Sequence, residues 1–393
     1  MYRCQKLKID NTIKVAGTIS DFLMPNYIYV PVVAHSQIYI KNKDYVTKNQ
    51  VLITTKEKTI MAPVSGQIVG TSLITIENNK QVKSIIIEND FKEKIIRKKA
   101  ACKDISSLTK EQIITNLTNY ELVECRSNNL LAKKLTKMPK ISHLLINGIE
   151  NEPYIANKQI ILQNKDNELL DAIISLINGF QIPQATIMLK TNDALNINKY
   201  SNLLGMYPEI TLTLVADLYP SGDYKILESI MVNKNILANE LLILDIEDIW
   251  YCYNILKKNR YLTEKIITVT GNAVASPKVI NVKLGTSVRE ILSDFKILSN
   301  NVEYFADGLL RGNIIFNINN YIVTERTRAI IVNQRLDDKS GECLNCGKCN
   351  AVCPVGIDPR SKEKDLRCLK CNLCAYYCPA HIKIRNKGDN NEA

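Results

Sequence analysis

The sequence contains little glycine, tryptophan or histidine, and it lacks any long apolar run. Its 393 residues include 15 glycines, one tryptophan and three histidines, whereas glycine usually makes up about 7% of a protein. No stretch approaches the roughly 18 consecutive apolar residues of a membrane-spanning helix, and charged residues interrupt the start at 1–15. We therefore expect neither a membrane span nor a secretory signal. There is no G-x-G-x-x-G motif, P-loop or Ser/His/Asp set, and His35, His143 and His381 lack the spacing of metal ligands.

The composition is that of a folded protein with a basic surface. Apolar residues make up 46% and charged residues 23%, with a net charge of +11, which excludes wholesale disorder. At about 150 residues per domain, the length suggests two to four domains. The lysines are spread along the chain, and the densest run at 92–99 (KEKIIRKK) is short and interrupted. We expect a solvated basic surface or an acidic protein partner, and no nucleic acid.

The first 100 residues are predicted to form an all-β unit. Short β-rich segments recur with frequent turns between them, and one turn has the sequence Ala-Pro-Val-Ser-Gly at 62–66. Strands at this close spacing are typical of small barrels and sandwiches. The predicted strands cover 27–33, 50–54, 66–69 and 84–88.

Residues 101–262 are predicted to form an α/β domain. Thr109 and Gln112 have the spacing of a capping box at a helix start, and helical and strand patterns alternate from there. This alternation indicates a parallel sheet with helices on its faces. The predicted strands are 143–146, 185–189, 210–215 and 241–244, and the predicted helices include 166–177, 224–231 and the residues up to about 257.

Residues 263–336 are expected to form a smaller α+β domain. Strands are predicted at 267–270 and 279–282, and Ser287 with Glu290 predicts a second capping box. A cysteine-rich domain is predicted at 337–386, entered through a polar linker, and a disordered tail at 387–393.

The cysteines are concentrated near the end of the sequence. Eight of the twelve lie in two runs with identical C-x2-C-x2-C-x3-C-P spacing, the pattern of bacterial two-cluster ferredoxins. Three closely spaced thiolates hold one iron–sulfur cubane, and the fourth cysteine of each run ligates the neighbouring cubane. The first cluster is therefore assigned to Cys343, Cys346, Cys349 and Cys378, and the second to Cys368, Cys371, Cys374 and Cys353.

Zinc is the alternative metal for a cysteine cluster. Structural zinc sites usually pair two C-x2-C units across a longer spacer, which two runs of four do not follow. We therefore predict two [4Fe–4S] clusters that pass single electrons. The isolated Cys4, Cys102, Cys125 and Cys252 are predicted to be structural thiols, and a reducing compartment is expected.

Several segments, taken in order, resemble the C subunit of Rnf-type ion-translocating ferredoxin:NAD oxidoreductases and its soluble relatives, such as the proline-reductase-associated electron-transfer protein. The resemblance covers almost the whole chain. It implies a barrel-sandwich hybrid domain at 1–100, a domain like the flavin subunit of respiratory complex I at 101–262, a soluble-ligand-binding β-grasp domain at 263–336 and a double-cluster ferredoxin-like domain at 337–386. The segments that carry it are 62–66 (APVSG) with 86–90 (IIEND), 147–154 (NGIENEPY), 219–222 (YPSG) with Lys225, 269–274 (VTGNAV) and the double cysteine run.

In this family the α/β domain binds FMN and meets NAD(H), and the flavin converts a hydride into single electrons. Carried over by motif, the matching flavin positions are Asn147, Glu150, Glu152, Tyr219 and Gly222. A reading without flavin is that these residues form turns at strand ends, since Asn147-Gly148 is a good turn pair in any context.

The sequence departs from the family at the flavin. The family carries a glycine-rich loop about twenty-five residues before the Asn-Gly strand end, where the backbone approaches the flavin, but 119–137 contains no glycine. Asp223-Tyr224 stands where a glutamate is usual, and 245–248 (DIED) replaces an Asn-Val turn with carboxylates that would repel a phosphate. The spacer between the cysteine runs, at 354–367, is also shorter than usual.

Three functions remain open from the sequence. In the first, the chain relays single electrons through its clusters between a flavoprotein or ferredoxin and a partner oxidoreductase in anaerobic metabolism. In the second, it is an FMN-containing NADH:acceptor oxidoreductase subunit. In the third, it is a non-catalytic assembly module with structural clusters. The altered flavin segments favour the electron carrier, located in the cytoplasm or held at the cytoplasmic face of the membrane by other subunits.

Overall fold

The computed structural model shows a mixed α/β protein with several sheets, one of them parallel. Within the described residues, no helix combines the length and the apolar character needed to cross a membrane. The predicted tail at 387–393 and the linker residues 337–339 lie outside the described part of the chain. The structure describes residues 2–8, 13–22, 24–56, 58–95, 100–127, 129–335, 340–361, 365–382 and 384.

The N-terminal strands are β1 (Ile19–Asp21), β2 (Tyr27–Pro31), β3 (Gln37–Ile38), β4 (Tyr45–Val46), β5 (Val51–Thr54), β6 (Thr59–Met61), β7 (Gly66–Ile76) and β8 (Lys80–Asn89). They form two antiparallel sheets, in the orders β2-β8-β7-β4 and β3-β5-β6, with β1 outside both. Ile28, Leu52 and Ile87 belong to one apolar core that both sheets share. The predicted strands are confirmed, and β7 and β8 are longer than predicted because they pair as one hairpin.

The central elements are α1 (Lys110–Asn119), α2 (Leu131–Lys137), β9 (His143–Asn147), α3 (Asn157–Asn164), α4 (Asp166–Phe180), β10 (Gln184–Lys190), α5 (Ala194–Leu203), β11 (Ile210–Val215), α6 (Tyr224–Val232), β12 (Leu241–Asp245) and α7 (Ile246–Leu256). The four strands run parallel in the order β11-β10-β9-β12, which confirms the predicted parallel sheet. Side chains alternate between its faces: Leu144 joins the large core that includes residues of α1, α4 and α7, and Leu145 joins the core that includes residues of α6.

The helix signals in this domain were largely correct. Thr109 and Gln112 form the reciprocal capping box, with Gln112 N–H donating to Thr109 Oγ1 at 3.3 Å and Thr109 N–H to Gln112 Oε1 at 3.0 Å. Helix α4 ends at Phe180, three residues later than predicted, where Gln181 takes the left-handed conformation with φ of 52°.

The third group of elements is β13 (Glu264–Thr270), β14 (Lys278–Lys283), α8 (Val288–Leu292), β15 (Val302–Ala306), β16 (Asn313–Ile315) and β17 (Ala329–Gln334). They form a mixed sheet in the order β1-β14-β13-β17-β15-β16, which β1 joins from the start of the chain. Ser287 caps α8 through Glu290 N–H, as predicted. The carboxylate of Glu290 instead accepts from Asn26 N–H at 2.5 Å, so it ties this domain to the N-terminal unit rather than closing a capping box.

Candidate functional site

The candidate site lies at the carboxyl edge of the parallel sheet. Parallel strands that end side by side form a crevice at this edge, where α/β proteins bind ligands. The last residues of β9 and β12, Asn147 and Asp245, are paired in register. The Asn147 amide donates to Asp245 Oδ1 at 2.9 Å and to the Gly222 carbonyl at 3.3 Å.

A cavity of about 520 Å³ opens beside these strand ends, and we call it the crevice. The loops that follow β9, β10 and β11 form most of its wall, and Lys6 and Leu7 of the N-terminal segment complete it. It is lined by Lys6, Leu7, Gly148, Ile149, Glu150, Asn151, Glu152, Pro153, Tyr154, Ile155, Gln159, Lys190, Asn192, Asp193, Asp217, Leu218 and Tyr219. Three of the five predicted flavin positions, Glu150, Glu152 and Tyr219, therefore share one cavity.

The other two predicted positions, Asn147 and Gly222, do not line the crevice. Gly222 N–H donates to Asn151 Oδ1 at 2.9 Å. A Cβ atom at Gly222 would come within 2.7 Å of Ile149 Cγ2, closer than packed atoms tolerate. Packing between two loops is thus sufficient to require glycine here, as the turn-forming reading of this residue anticipates.

The carboxylates of Glu150 and Glu152 are held by protein partners. Glu150 accepts from Arg328 Nη2 at 2.7 Å. Glu152 accepts from Leu310 N–H at 2.9 Å, and burial raises the pKa of its carboxyl. Both glutamates are therefore anchored to the loops between β15 and β17.

The residues in place of the glycine-rich loop are tied to β12 and to the first turn of α7. Cys125 N–H donates to Asp248 Oδ1 at 2.8 Å, and the Lys134 ammonium donates to the Ile243 carbonyl at 3.1 Å. Lys134 also pairs with buried Glu124 at 2.5 Å. A backbone N–H that could face an anion is thus already bonded to a carboxylate of the chain itself.

A second ion pair lies at the end of β12. The Lys158 ammonium contacts Asp245 Oδ1, and both side chains are buried. Burial acts to raise the pKa of Asp245, but the charges of Lys158 and Arg328 outweigh it and the pKa is lowered. Burial and the Asp245 charge raise the pKa of Asp248 to about 7. The Lys158 cation at the end of β12 is therefore already paired with a carboxylate of the chain itself.

The two cysteine runs form a structural repeat. Residues 343–353, the first run, and 368–378, the second run, contain the short helices α9 (Lys348–Ala351) and α10 (Leu373–Tyr376). Left-handed residues precede both helices at equivalent positions, Gly347 with φ of 70° and Asn372 with φ of 64°.

The two runs also share a backbone hydrogen bond at equivalent positions. Cys353 N–H donates to the Asn350 carbonyl and Cys378 N–H to the Ala375 carbonyl, both at 3.1 Å. The two runs therefore wrap their cysteines around two turns of the same shape, which fits one cubane per run.

The exchange of fourth ligands between the two runs stays a prediction. In the described part of the chain, no three His, Cys, Asp or Glu side chains surround a position for a single metal ion. A cubane is larger than an ion and spaces its ligands more widely.

Two neighbours of Tyr219 could not be predicted from the sequence. The N-terminal segment at 2–8 pairs with Tyr219 through two backbone bonds of Gln5, at 2.7 and 2.8 Å. Arg311 Nε donates to the Tyr219 hydroxyl at 3.2 Å. Neither contact leaves a local sequence signal, because the partners are far apart along the chain.

Comparison with known proteins agrees with this arrangement. Residues 11–92 match the RnfC barrel sandwich hybrid domain, and residues 128–254 match the Nuo51 FMN-binding domain. The chain spans about half the length of the Haemophilus influenzae relatives it matches.

Three relatives are named as the C subunit of an ion-translocating oxidoreductase complex. One from Haemophilus influenzae (strain PittEE) is 25% identical, with 84% of this chain and 54% of the relative covered. One from Buchnera aphidicola (subsp. Baizongia pistaciae) is 20% identical, with 90% and 74% covered. One from Rhodobacter capsulatus is 24% identical, with 86% and 69% covered.

Among solved structures, an NAD+-reducing [NiFe]-hydrogenase in the air-oxidised state aligns with a TM-score of 0.49 and 12% identity, covering 58% of this chain and 47% of the other. The sequence matches place a barrel-sandwich hybrid domain before an α/β domain that matches the FMN-binding type. The chain is an RnfC-like protein.

Proposed function

We propose that this chain relays single electrons through two [4Fe–4S] clusters, between a flavoprotein or ferredoxin and a partner oxidoreductase. The observation that carries the proposal is the repeated cysteine frame, in which two runs of four cysteines share one backbone conformation on an RnfC-like chain. Bound cubanes supply one-electron redox chemistry. The first cluster would be held by Cys343, Cys346, Cys349 and Cys378, and the second by Cys368, Cys371, Cys374 and Cys353.

The proposed domains correspond to groups of elements in the structure. The sheet that contains β13 to β17 would be the β-grasp domain at 263–336, and the cysteine repeat the ferredoxin-like domain at 337–386. The contacts of 2–8 and Tyr219 hold the second run against the central domain. We place the protein in the cytoplasm, or at the membrane through other subunits, because the relatives are parts of a larger complex by name.

Metal analysis after anaerobic purification tests the proposal. About eight iron and eight sulfide per chain are expected, with the low-temperature magnetic resonance of reduced cubanes. A colourless, zinc-loaded protein would overturn it. Clusters that cannot exchange electrons with any ferredoxin would instead favour the assembly module with structural clusters.

A flavin-dependent NADH:acceptor activity is the second candidate, and the crevice supports it. Glu150, Glu152 and Tyr219 line a cavity of about 520 Å³ at the sheet edge, although the carboxylates at 245–248 disfavour a phosphate close to them. Titration of the purified protein with FMN, followed by flavin fluorescence, tests this candidate. Binding together with NADH-dependent dye reduction would support it, and absence of both would remove it.

A further inference from the structure

The two cysteine runs share a backbone but have opposite environments. Leu344 and Leu369 occupy the same position of the repeat, yet Leu344 is 66% exposed and Leu369 is 8% exposed. Cys346 is exposed, whereas its counterpart Cys371 is buried. The difference is therefore set by what packs on each run and not by the run itself.

The second run is covered by the central and third domains. Leu369, Cys371 and Leu373 share one apolar cluster with Tyr219 and Leu310. The Tyr219 hydroxyl donates to the Cys371 carbonyl at 2.7 Å, and Tyr219 also lines the crevice. The second run therefore uses this face to pack against other parts of the chain.

The first run presents the equivalent face to solvent. Leu344 and Cys346 lie in it, and Lys348 occupies the position that Leu373 fills in the second run. Lys348 is exposed and supplies a positive charge beside Leu344 and Cys346 in the run. An exposed apolar centre with a cation beside it suits a protein surface that is apolar at its centre and acidic at its edge.

We propose that this exposed face of the first run, around Leu344, Cys346 and Lys348, is the docking surface for a small acidic redox protein. The first cluster is then the outer one, and the second cluster is the inner one that faces the crevice through Tyr219. This inference rests on the proposed function. The exchange at the surface moves one electron from the reduced carrier to the first cluster, without proton transfer and without making or breaking a bond.

Two exposed leucines provide a matched experiment. Leu344 lies in the proposed surface, whereas Leu366, which is 87% exposed, precedes the second run. In stopped-flow reduction of the holoprotein by a reduced bacterial two-[4Fe–4S] ferredoxin, Leu344→Asp should lower the second-order rate constant about tenfold, because it removes an apolar contact and adds repulsion. Leu366→Asp should change it less than about twofold.

Lys348→Glu provides a second variant, and because Lys348 lies between Cys346 and Cys349, cluster content must be measured for it as well. It should slow the same reaction and weaken its dependence on ionic strength. Iron content and cluster spectra must match the parent protein in every variant compared. Equal rates for Leu344→Asp, Lys348→Glu and the parent would overturn the docking surface, as would slowing confined to Leu366→Asp. A protein without clusters would instead refute the proposed function, which the iron count reveals separately.

Discussion

The Tyr219 hydroxyl donates a 2.7 Å hydrogen bond to the backbone carbonyl of Cys371. One ring thereby contacts a predicted ligand of the second cluster while it lines the crevice at the edge of the parallel sheet. Arg311 donates to the same hydroxyl and pairs with Asp223 at 2.9 Å. Three parts of the chain that are far apart in sequence meet at this tyrosine.

Tyr219→Phe should destabilise the packing of the second run against the central domain. The ring remains, but the Cys371 carbonyl and Arg311 lose a buried partner, which costs about 1–2 kcal/mol. Chemical unfolding of the anaerobic holoprotein measures this loss. The control is Tyr39→Phe, since the exposed Tyr39 hydroxyl lies 2.9 Å from Thr54 Oγ1 and its loss should cost less than about 0.5 kcal/mol. Equal effects in both variants would contradict the role given to Tyr219.

The Lys158–Asp245 pair should behave as a buried ion pair. Asp245→Asn leaves the Lys158 ammonium buried without its compensating charge, and about 3–5 kcal/mol of stability should be lost. The double variant Lys158→Met, Asp245→Asn should be less destabilised than Asp245→Asn alone, because it leaves no uncompensated charge. Additive losses in this double-mutant cycle would show that the two side chains are not coupled.

Asp248 should make stability depend on pH. Its pKa is raised to about 7, whereas an aspartate in the unfolded chain titrates near about 3.9. Between these values the folded state binds more protons than the unfolded state, so stability falls as the pH rises from about 4 to about 7. Melting temperatures recorded from pH 5 to pH 8 should decline less steeply for Asp248→Asn than for the parent. Parallel curves would refute this assignment.

The exchange of fourth ligands can be tested by combining serine substitutions. If Cys353 serves the second cluster, then Cys353→Ser with Cys368→Ser should lose no more iron than either change alone, about half of the total. Cys353→Ser with Cys343→Ser should lose both clusters. Iron and sulfide assays after anaerobic reconstitution separate these outcomes, and the reverse pattern would place Cys353 in the first cluster.

Gly222→Ala should destabilise the protein by about 1–3 kcal/mol, because its Cβ atom would meet Ile149 and Asn151. Gly205→Ala is the matched control, since a Cβ atom there has no neighbour within 4 Å, and it should be neutral or slightly stabilising. Thermal unfolding compares the two. If Gly222→Ala unfolds like Gly205→Ala, packing does not explain the glycine.

Local patterns predicted most of the central sheet because its signals are short in range. Apolar strand segments such as 210–215 and the Thr109 capping box depend on residues a few positions apart. The predicted capping box at Ser287 is only half formed. The Glu290 carboxylate accepts from Asn26 N–H instead, and no local pattern reveals this partner. The prediction ends α4 at residue 177, three residues too early, because the helix continues past Gly179 until Gln181 takes the left-handed conformation.

The sequence by itself determined the cluster prediction, because the cysteine spacing repeats from Cys343 to Cys368 without reference to the rest of the chain. It also revealed that the flavin loop lacks glycine. Only the tertiary structure decided which run is buried, that Lys6 and Leu7 complete the crevice, and that Lys158 and Asp245 pair at the end of β12. Those outcomes depend on packing and Coulomb interactions between residues distant in sequence, which become neighbours only when the sheets and loops assemble.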